Sequence, residues 1–347
     1  MGDRQQRLNT WVIQTATELN LDINPNMGLV PVSGDASFRR YYRLLGQQKN
    51  WIVMDAPPNL EDSRPFVEIA EKWHEFGVKV PQVLAKNLEL GFLLLEDFGD
   101  TLLYSGLVEG QEGELYAKAA RTLACIQAMP GDDLPVYDAA KLQTEMGLFD
   151  EWFLSRWLGL SITDDVLEGL TKVKARLLES ALAQPQVVVH RDYHSRNLMI
   201  LPCGNIGVID FQDAVRGAIT YDLVSLFRDS YISWPDEQVY HWLEEYRQTY
   251  LHDNVGLSAQ VWQRYFDWMG MQRQLKVCGI FARLSLRDGK DGYLNDIPLT
   301  LSNLYRSARR YPEFSDFADW LAQVVIPAFS SHPRFQGQSL EHWWRDL

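Results

Sequence analysis

The stretch that decides the fold is HRDYHSRN, residues 190–197, which directly follows the apolar run at residues 187–189. Asp210 follows another apolar run thirteen residues after Asn197. Phosphoryl transfer needs a carboxylate that receives the proton of the attacking hydroxyl, an Asn oxygen on a metal ion, and a second carboxylate that joins this metal to the phosphates. Asp192, Asn197 and Asp210 supply these groups in this order. Each acidic residue alone would be read as a strand end or a helix cap, but the three together predict a kinase.

The elements around this stretch predict an α+β chain with a two-lobed, protein-kinase-like fold. β-prone runs occupy residues 29–32, 41–45, 51–54, 80–84 and 91–95. Helical periodicity covers residues 7–20, 64–76, 112–129, 143–158, 164–183, 236–251 and 258–286. A β-like island within the helical part comprises residues 187–189, 198–200 and 207–209. We expect a small β-rich N-lobe at residues 1–97, which binds the nucleotide, and a larger, mostly helical C-lobe at residues 98–347.

The composition favours an enzyme that acts on a small molecule. The formal net charge is −13, whereas surfaces that bind nucleic acid or anionic membranes need clustered Lys and Arg. We therefore expect neither nucleic acid nor membrane as a partner. An acidic chain can still bind ATP where a few cations, backbone N–H groups and Mg²⁺ neutralise the phosphates.

Cysteine content and hydropathy predict a cytoplasmic protein. The three cysteines form no CxxC pair, which argues against a zinc site and a disulfide framework. Charged residues interrupt the first twenty positions, so they lack the apolar core of a signal peptide. No run of about 18 apolar residues could span a membrane. The oligomeric state cannot be read from the sequence, and a monomer is compatible with it.

The chain resembles the aminoglycoside phosphotransferase superfamily, whose catalytic segment reads H-G-D-x-x-x-x-N and is followed by I-D-F or I-D-W. The resemblance implies an ATP- and Mg²⁺-dependent kinase with Asp192 as catalytic base, and Asn197 and Asp210 as metal ligands. Arg191 replaces the usual Gly, which implies an altered substrate side. Asp222, in a Tyr-Asp-Leu segment, is expected to cap the helix that follows it.

The nucleotide side departs from the superfamily pattern. A loop at residues 33–37 could cover the phosphates with Ser33, Gly34, Asp35 and Ser37, although a plain hairpin turn is an equal alternative. Glu96 and Asp97 end a strand where the resemblance implies adenine binding. The third-strand lysine of the superfamily is missing, because Met54 and Asp55 stand there. Arg43, or its neighbours Arg39 and Arg40, are candidates to replace it.

Further segments match a narrower group, namely residues 33–43, 54–58, 145–149, 151–153, 273–276 and 279–284. In these segments and in the catalytic segment, the chain looks most like the N-acetylmuramate/N-acetylglucosamine anomeric kinase group. That resemblance implies transfer to the C1 hydroxyl of these amino sugars during recycling of cell-wall peptidoglycan. Lys276 and Arg283 recur on one face of a helix with Gln272 and Gly279. Predicted substrate residues are Glu145, Trp152, Arg191, Lys276 and Arg283.

Three alternatives share parts of this pattern. A kinase of choline, homoserine or an aminoglycoside would use the same catalytic loop, but a cationic acceptor favours an acidic or aromatic cage over Lys276 and Arg283. A protein kinase would need an activation loop, and the residues after Asp210 lead quickly into a helix. A non-catalytic nucleotide-binding module is favoured only by the missing lysine.

Overall fold

The computed structural model describes residues 2–23, 28–32, 38–107, 110–251, 256–335 and 338–344. The chain divides into two compact units. The first comprises residues 1–126 and 196–213, and the second comprises residues 127–195 and 214–347. The fold is α+β, with a small antiparallel sheet in the first unit and a mostly helical second unit.

The first unit contains a five-stranded antiparallel sheet of order β1-β2-β3-β5-β4. Its strands are β1 (Val30–Pro31), β2 (Arg40–Leu44), β3 (Trp51–Asp55), β4 (Val83–Asn87) and β5 (Phe92–Glu96). Its helices are α1 (Gly2–Glu18), α2 (Arg64–Glu75), α3 (Leu103–Gly106) and α4 (Glu112–Gln127). The predicted meander of three strands is confirmed, whereas the strand expected at residues 80–84 is displaced to Val83–Asn87.

Successive side chains of the central strands point to opposite faces of this sheet, and both faces are largely buried. Val53 and Leu94 lie on the face that packs against Leu8 and Val12 of α1. Because α1 covers this face, the opening amphipathic pattern forms a structural part of the sheet. The helix starts at Gly2, five residues before the predicted start.

A separate hairpin completes the first unit. Strands β7 (Leu198–Ile200) and β8 (Ile206–Val208) pair in antiparallel register, with Leu198 opposite Val208. The β8 strand is tied to the loop after α2, because the Val208 N–H donates to the Lys79 carbonyl at 2.7 Å. This contact is one of those that join residues 196–213 to the first unit, although they follow residue 195 of the second.

The second unit is helical with one small sheet. Its helices are α5 (Ala139–Leu148), α6 (Asp164–Ala183), α7 (Tyr221–Phe227), α8 (Asp236–Tyr250), α9 (Ala259–Asp288), α10 (Ile297–Arg309), α11 (Ser315–Trp320) and α12 (Ile326–Ser330). A π-helical segment, Phe149–Trp157, continues α5 directly. Strand β6 (Gln186–Val189) pairs with β9 (Val215–Ala218).

Helix α9 runs through the core of this unit and is buried along most of its length. Gly279 is needed at one crossing, because a Cβ atom there would lie 2.5 Å from the carbonyl oxygen of Leu148. The glycine therefore lets the end of α5 approach α9 closely. This crossing lies three residues along α9 from Lys276 and three residues along α5 from Glu145.

The division into units differs from the predicted lobes. Residues 98–126 and 196–213 pack with the β-rich part, so the compact units do not separate at residues 97 and 98. The functional boundary stays a prediction. Strand β9 and helices α10 to α12 were not predicted, although α10 is clearly amphipathic. Within the described ranges no helix is long and apolar enough to cross a membrane, and all three cysteines are free.

Candidate active site

The loop that carries Asp192 is held by a buried carboxylate from α7. The Asp222 carboxylate accepts the backbone N–H of His190 at 2.6 Å and that of Arg191 at 3.0 Å. Asp222 was expected to cap its own helix, but Thr220 occupies the cap position and Asp222 lies in the first turn. Asp222 is completely buried, and burial raises its pKa to about 6. This residue therefore anchors the loop that carries Asp192.

Two predicted site residues have unusual backbone conformations. Arg191 has φ of 80° and Asp210 has φ of 63°, in the left-handed region that disfavours residues with a Cβ atom. Strain of this kind persists only where the surrounding structure enforces it, and it concentrates at functional sites. The conformation also explains why Gly is usual at the position of Arg191 in the resembling family.

A second carboxylate fixes the end of the same loop. Asp229 accepts both the backbone N–H of Ser195 at 2.9 Å and its hydroxyl at 2.5 Å. Asp229 and Ser195 are almost fully buried. The segment from His190 to Ser195 is thus bound at both ends by side chains from the chain that follows β9.

Three predicted substrate residues form one charged cluster beside this loop. The Glu145 carboxylate lies 2.7 Å from Nη2 of Arg191 and 3.3 Å from Nζ of Lys276. Lys276, which is 5% exposed, also donates to the Tyr221 hydroxyl at 2.9 Å. The Tyr137 hydroxyl donates to Glu145 as well. We call Glu145, Arg191, Lys276, Tyr137 and Tyr221 the acidic-centred cluster.

The electrostatics of the second unit keep Asp192 ionised. Burial alone would raise the pKa of the Asp192 carboxyl, but the surrounding positive charges, of which Lys276 has the largest effect, outweigh it and bring the value to about 2. Asp192 is therefore a carboxylate at any working pH. A carboxylate of this kind can orient a hydroxyl group and accept its proton late in the transfer, when the oxygen is already bonding to phosphorus.

The other two predicted substrate residues have different surroundings. Arg283 is partly buried, and its Nε atom has no hydrogen-bond partner within the part of the chain that the structure describes. Burial and the nearby Arg287 lower the pKa of Arg283, which is also influenced by the charge of Glu145. Trp152 packs against the apolar core and carries the Arg156 guanidinium 4.1 Å above its ring. A role for Trp152 in substrate binding stays a prediction.

The predicted metal ligands lie at one end of the β7–β8 hairpin in the first unit. Asn197 precedes β7, and its backbone carbonyl accepts the Ile209 N–H at 3.0 Å. Asp210 is the residue directly after Ile209. Phe211 anchors this end, because its ring centroid lies 4.7 Å from that of Phe66. Among the described residues no group of three His, Cys, Asp or Glu side chains could hold a metal. A pair of oxygen ligands still suits Mg²⁺, which usually takes one or two protein carboxylates together with phosphate oxygens.

The predicted nucleotide residues are only partly described. Ser33, Gly34, Asp35 and Ser37 lie outside the described residues. Glu96 ends β5, and its backbone N–H donates to the Gln82 carbonyl at 2.9 Å.

Arg43 is engaged by two carboxylates of its own unit. Its Nε lies 2.6 Å from Asp97 and its Nη2 lies 2.9 Å from Asp100. Hydrogen bonds that Arg43 donates to Asp100 and Asp97 raise its pKa. Arg43 and Asp97 therefore bind each other, and their contact with a nucleotide stays a prediction.

Several residues of the candidate site were not predicted. Tyr137 and Asp229 lie far from the catalytic stretch in sequence, and no local pattern marks them. Gln212 donates to the Asp210 carboxylate at 2.9 Å, and its own buried Oε1 has no partner in the described ranges. Its position two residues after Asp210 could have drawn attention to it, since a polar side chain there can reach the Asp210 carboxylate.

Comparison with known proteins identifies the class. A sequence model of the Phosphotransferase enzyme family matches residues 28–265, so the chain belongs to this family. The chain is 42% identical over 328 residues to the N-acetylmuramate/N-acetylglucosamine kinase of Pseudomonas aeruginosa. The aligned region covers 92% of this chain and 97% of that protein. The protein of the same name from Caulobacter vibrioides is 31% identical over 77% of this chain and 84% of its own length.

Solved structures share the fold at low sequence identity. An ethanolamine kinase of Plasmodium vivax superposes with a TM-score of 0.59 at 14% identity and covers 85% of each chain. An ADP-bound aminoglycoside phosphotransferase gives a TM-score of 0.53 at 17% identity, over 84% of this chain and 97% of its own. These similarities confirm the protein-kinase-like fold predicted from the sequence.

Proposed function

We propose that the chain transfers the γ-phosphoryl group of ATP to the anomeric C1 hydroxyl of N-acetylmuramate, N-acetylglucosamine or both, and releases the sugar 1-phosphate. The observation that carries the proposal is that Asp192 lies on a loop fixed at both ends, in the unit that also holds the acidic-centred cluster. The choice of sugar is supported by relatives of that name at 42% identity over more than nine tenths of the chain.

In the proposed reaction Asp192 accepts the proton of the C1 hydroxyl. The hydroxyl oxygen forms a bond to the γ-phosphorus, the bond from this phosphorus to its bridging oxygen breaks, and ADP leaves. Asp192 stays ionised, so it can orient the C1 hydroxyl and take up its proton once the oxygen has begun to bond to phosphorus and has become acidic. Backbone anchoring by Asp222 and Asp229 holds Asp192 in place, which is how enzymes of this type gain most of their rate.

Asp210 and Asn197 would hold Mg²⁺. Both residues lie at one end of the β7–β8 hairpin and carry side-chain oxygen atoms, and the Asp210 side chain is one-third exposed. When bound, Mg²⁺ neutralises the phosphates and aligns the leaving group. Glu96 and Asp97, at the end of β5, would lie near the adenine.

The charges around Asp192 favour a neutral or anionic acceptor over a cationic one. Lys276 and Arg191 already balance Glu145, and Arg283 adds a further positive charge. Choline or an aminoglycoside would bring another cation to this surface, and it would meet repulsion there. N-acetylmuramate instead brings a carboxylate, which the partly buried Arg283 guanidinium can bind.

Sugar-stimulated consumption of ATP tests the proposal. The purified chain is incubated with ATP, Mg²⁺ and either amino sugars or choline, homoserine and an aminoglycoside. ADP release is expected with N-acetylmuramate or N-acetylglucosamine, and little is expected with the other acceptors. Release with choline alone would show that the acceptor assignment is wrong. Such a kinase would supply the sugar 1-phosphate for recycling of cell-wall peptidoglycan in the cytoplasm.

A further inference from the structure

The charged residues of the first unit indicate which side chain binds the phosphates of the nucleotide. A nucleoside triphosphate needs a protein cation beside the metal ligand, because Mg²⁺ offsets only part of the phosphate charge. Strand β3 offers none. Met54 is fully buried, and the buried Asp55 carboxylate binds Nη2 of Arg4 at 2.5 Å. Arg4 also donates to the Leu90 carbonyl, so it serves the structure of the sheet.

Strand β2 contains two cations, Arg40 and Arg43, and Arg39 directly precedes it. The surroundings of Arg40 and Arg43 differ from those of Arg39. Arg43 uses Nε, Nη1 and Nη2 on the Asp97 and Asp100 carboxylates, at distances from 2.6 to 3.1 Å. Arg40 is exposed and begins β2 opposite Asp55 in the strand register. A cation that is spread over two carboxylates contributes little net charge to a third anion.

Arg39 differs from both neighbours. Its side chain is only 10% exposed, and its Nη2 lies 3.5 Å from Oδ1 of Asp210. The pair is long for a charge-assisted hydrogen bond, which is usually about 2.7–2.9 Å. Gln212 donates to the same Asp210 oxygen at 2.9 Å. Arg39 is therefore a largely desolvated guanidinium held beside the carboxylate at the end of the β7–β8 hairpin.

A guanidinium next to a carboxylate has the charge pattern that a metal-bound triphosphate requires. A carboxylate is a good ligand for a divalent cation, and the planar guanidinium fork suits phosphate oxygens. We propose that Arg39 is the phosphate-binding cation of this chain and that Asp210 holds it in position until the nucleotide arrives. This inference rests on the proposed function for its nucleotide, and it gives a single residue the role that the sequence left open among three.

Nucleotide binding without any sugar tests the inference by isothermal titration of ATP, first in EDTA and then with Mg²⁺. Arg39→Ala should weaken ATP binding by about 10- to 100-fold in both conditions, because a hydrogen-bonded charge pair is lost. Asp210→Asn should weaken binding with Mg²⁺ but leave it unchanged or tighter in EDTA, because it releases Arg39 from its carboxylate. Arg40→Ala is the matched control, since it removes an adjacent but exposed cation, and it should change the Kd by less than about twofold.

Equal ATP affinities for Arg39→Ala, Arg40→Ala and the unchanged chain would overturn the inference and leave Arg39 as a counter-ion of Asp210. Where Arg39→Ala lowers the melting temperature, Arg39→Gln keeps the side-chain length and an amide donor, and it should still lose at least about fivefold in EDTA. An affinity of Arg39→Gln equal to that of the unchanged chain would contradict the inference. Failure of the unchanged chain to bind ATP would overturn the proposed function itself, so the two failures are distinct.

Discussion

The two units hold their charged residues in different ways. In the second unit Glu145 is 12% exposed and lies within 3.3 Å of both Arg191 and Lys276. In the first unit Asp210 is 33% exposed and Arg39 stands 3.5 Å away. Buried, multiply bonded charges resist rearrangement, whereas a partly exposed and longer pair can change partners when a ligand binds. The comparison suggests a preorganised acceptor side and a nucleotide side that rearranges on binding.

The largest expected effect concerns the preorganised side. Asp192→Asn keeps the shape of the side chain but cannot accept the hydroxyl proton, so kcat should fall by about 10²- to 10⁴-fold while ATP still binds. Initial rates and a melting curve measure this. Asp132→Asn, at an exposed position of the same unit, is the matched control and should keep full activity. A variant at residue 192 that retained more than about a tenth of the turnover would remove Asp192 from the role of base.

The burial of Glu145 predicts a large loss of stability when its charge is removed. Glu145→Gln leaves Arg191 and Lys276 without their shared carboxylate, which should lower the free energy of unfolding by about 3–5 kcal/mol. Glu151→Gln breaks an exposed pair with Arg156 and should cost less than about 1 kcal/mol. Urea unfolding of both variants measures the difference. Equal costs would mean that the acidic-centred cluster is no more tightly held than the surface.

Arg283 sharpens the comparison within the second unit. Its Nε has no hydrogen-bond partner among the described residues, whereas Lys276 already donates to Tyr221. Arg283→Ala should lower kcat/KM for N-acetylmuramate by about tenfold more than for N-acetylglucosamine, since only the former has a carboxylate. Arg287→Ala, which removes an exposed cation one turn further along α9, is the matched control. An equal loss for both sugars would assign Arg283 to general packing.

The smallest effect is a pH dependence. The pKa of Asp222 is raised to about 6, whereas that of Asp192 is lowered to about 2. As the pH falls through about 6, Asp222 gains a proton and loses part of its capacity to accept the two loop N–H groups, while Asp192 stays ionised. We therefore expect the rate to decline a fewfold below pH 6. In Asp222→Asn, which cannot titrate, this decline should disappear, and an unchanged profile would exclude Asp222 as its source.

Some features of this molecule could be predicted from sequence because residue type and spacing carry them. Asp192, Asn197 and Asp210 are such residues, and so are the paired strands β2 and β3. The role of Asp222 could not be predicted, because it serves backbone groups more than thirty positions away. The engagement of Arg43 by Asp97 is likewise a contact across the sheet. Such contacts depend on tertiary packing, which local patterns do not record.

The position of the new phosphate tests the central claim most directly. Phosphorus NMR of the product, together with a reducing-sugar assay, distinguishes phosphate on C1 from phosphate on any other hydroxyl. The account predicts a sugar 1-phosphate that has lost its reducing end, formed at a rate that depends on Asp192. A phosphorylated sugar that remained reducing would place the phosphate elsewhere and contradict the account.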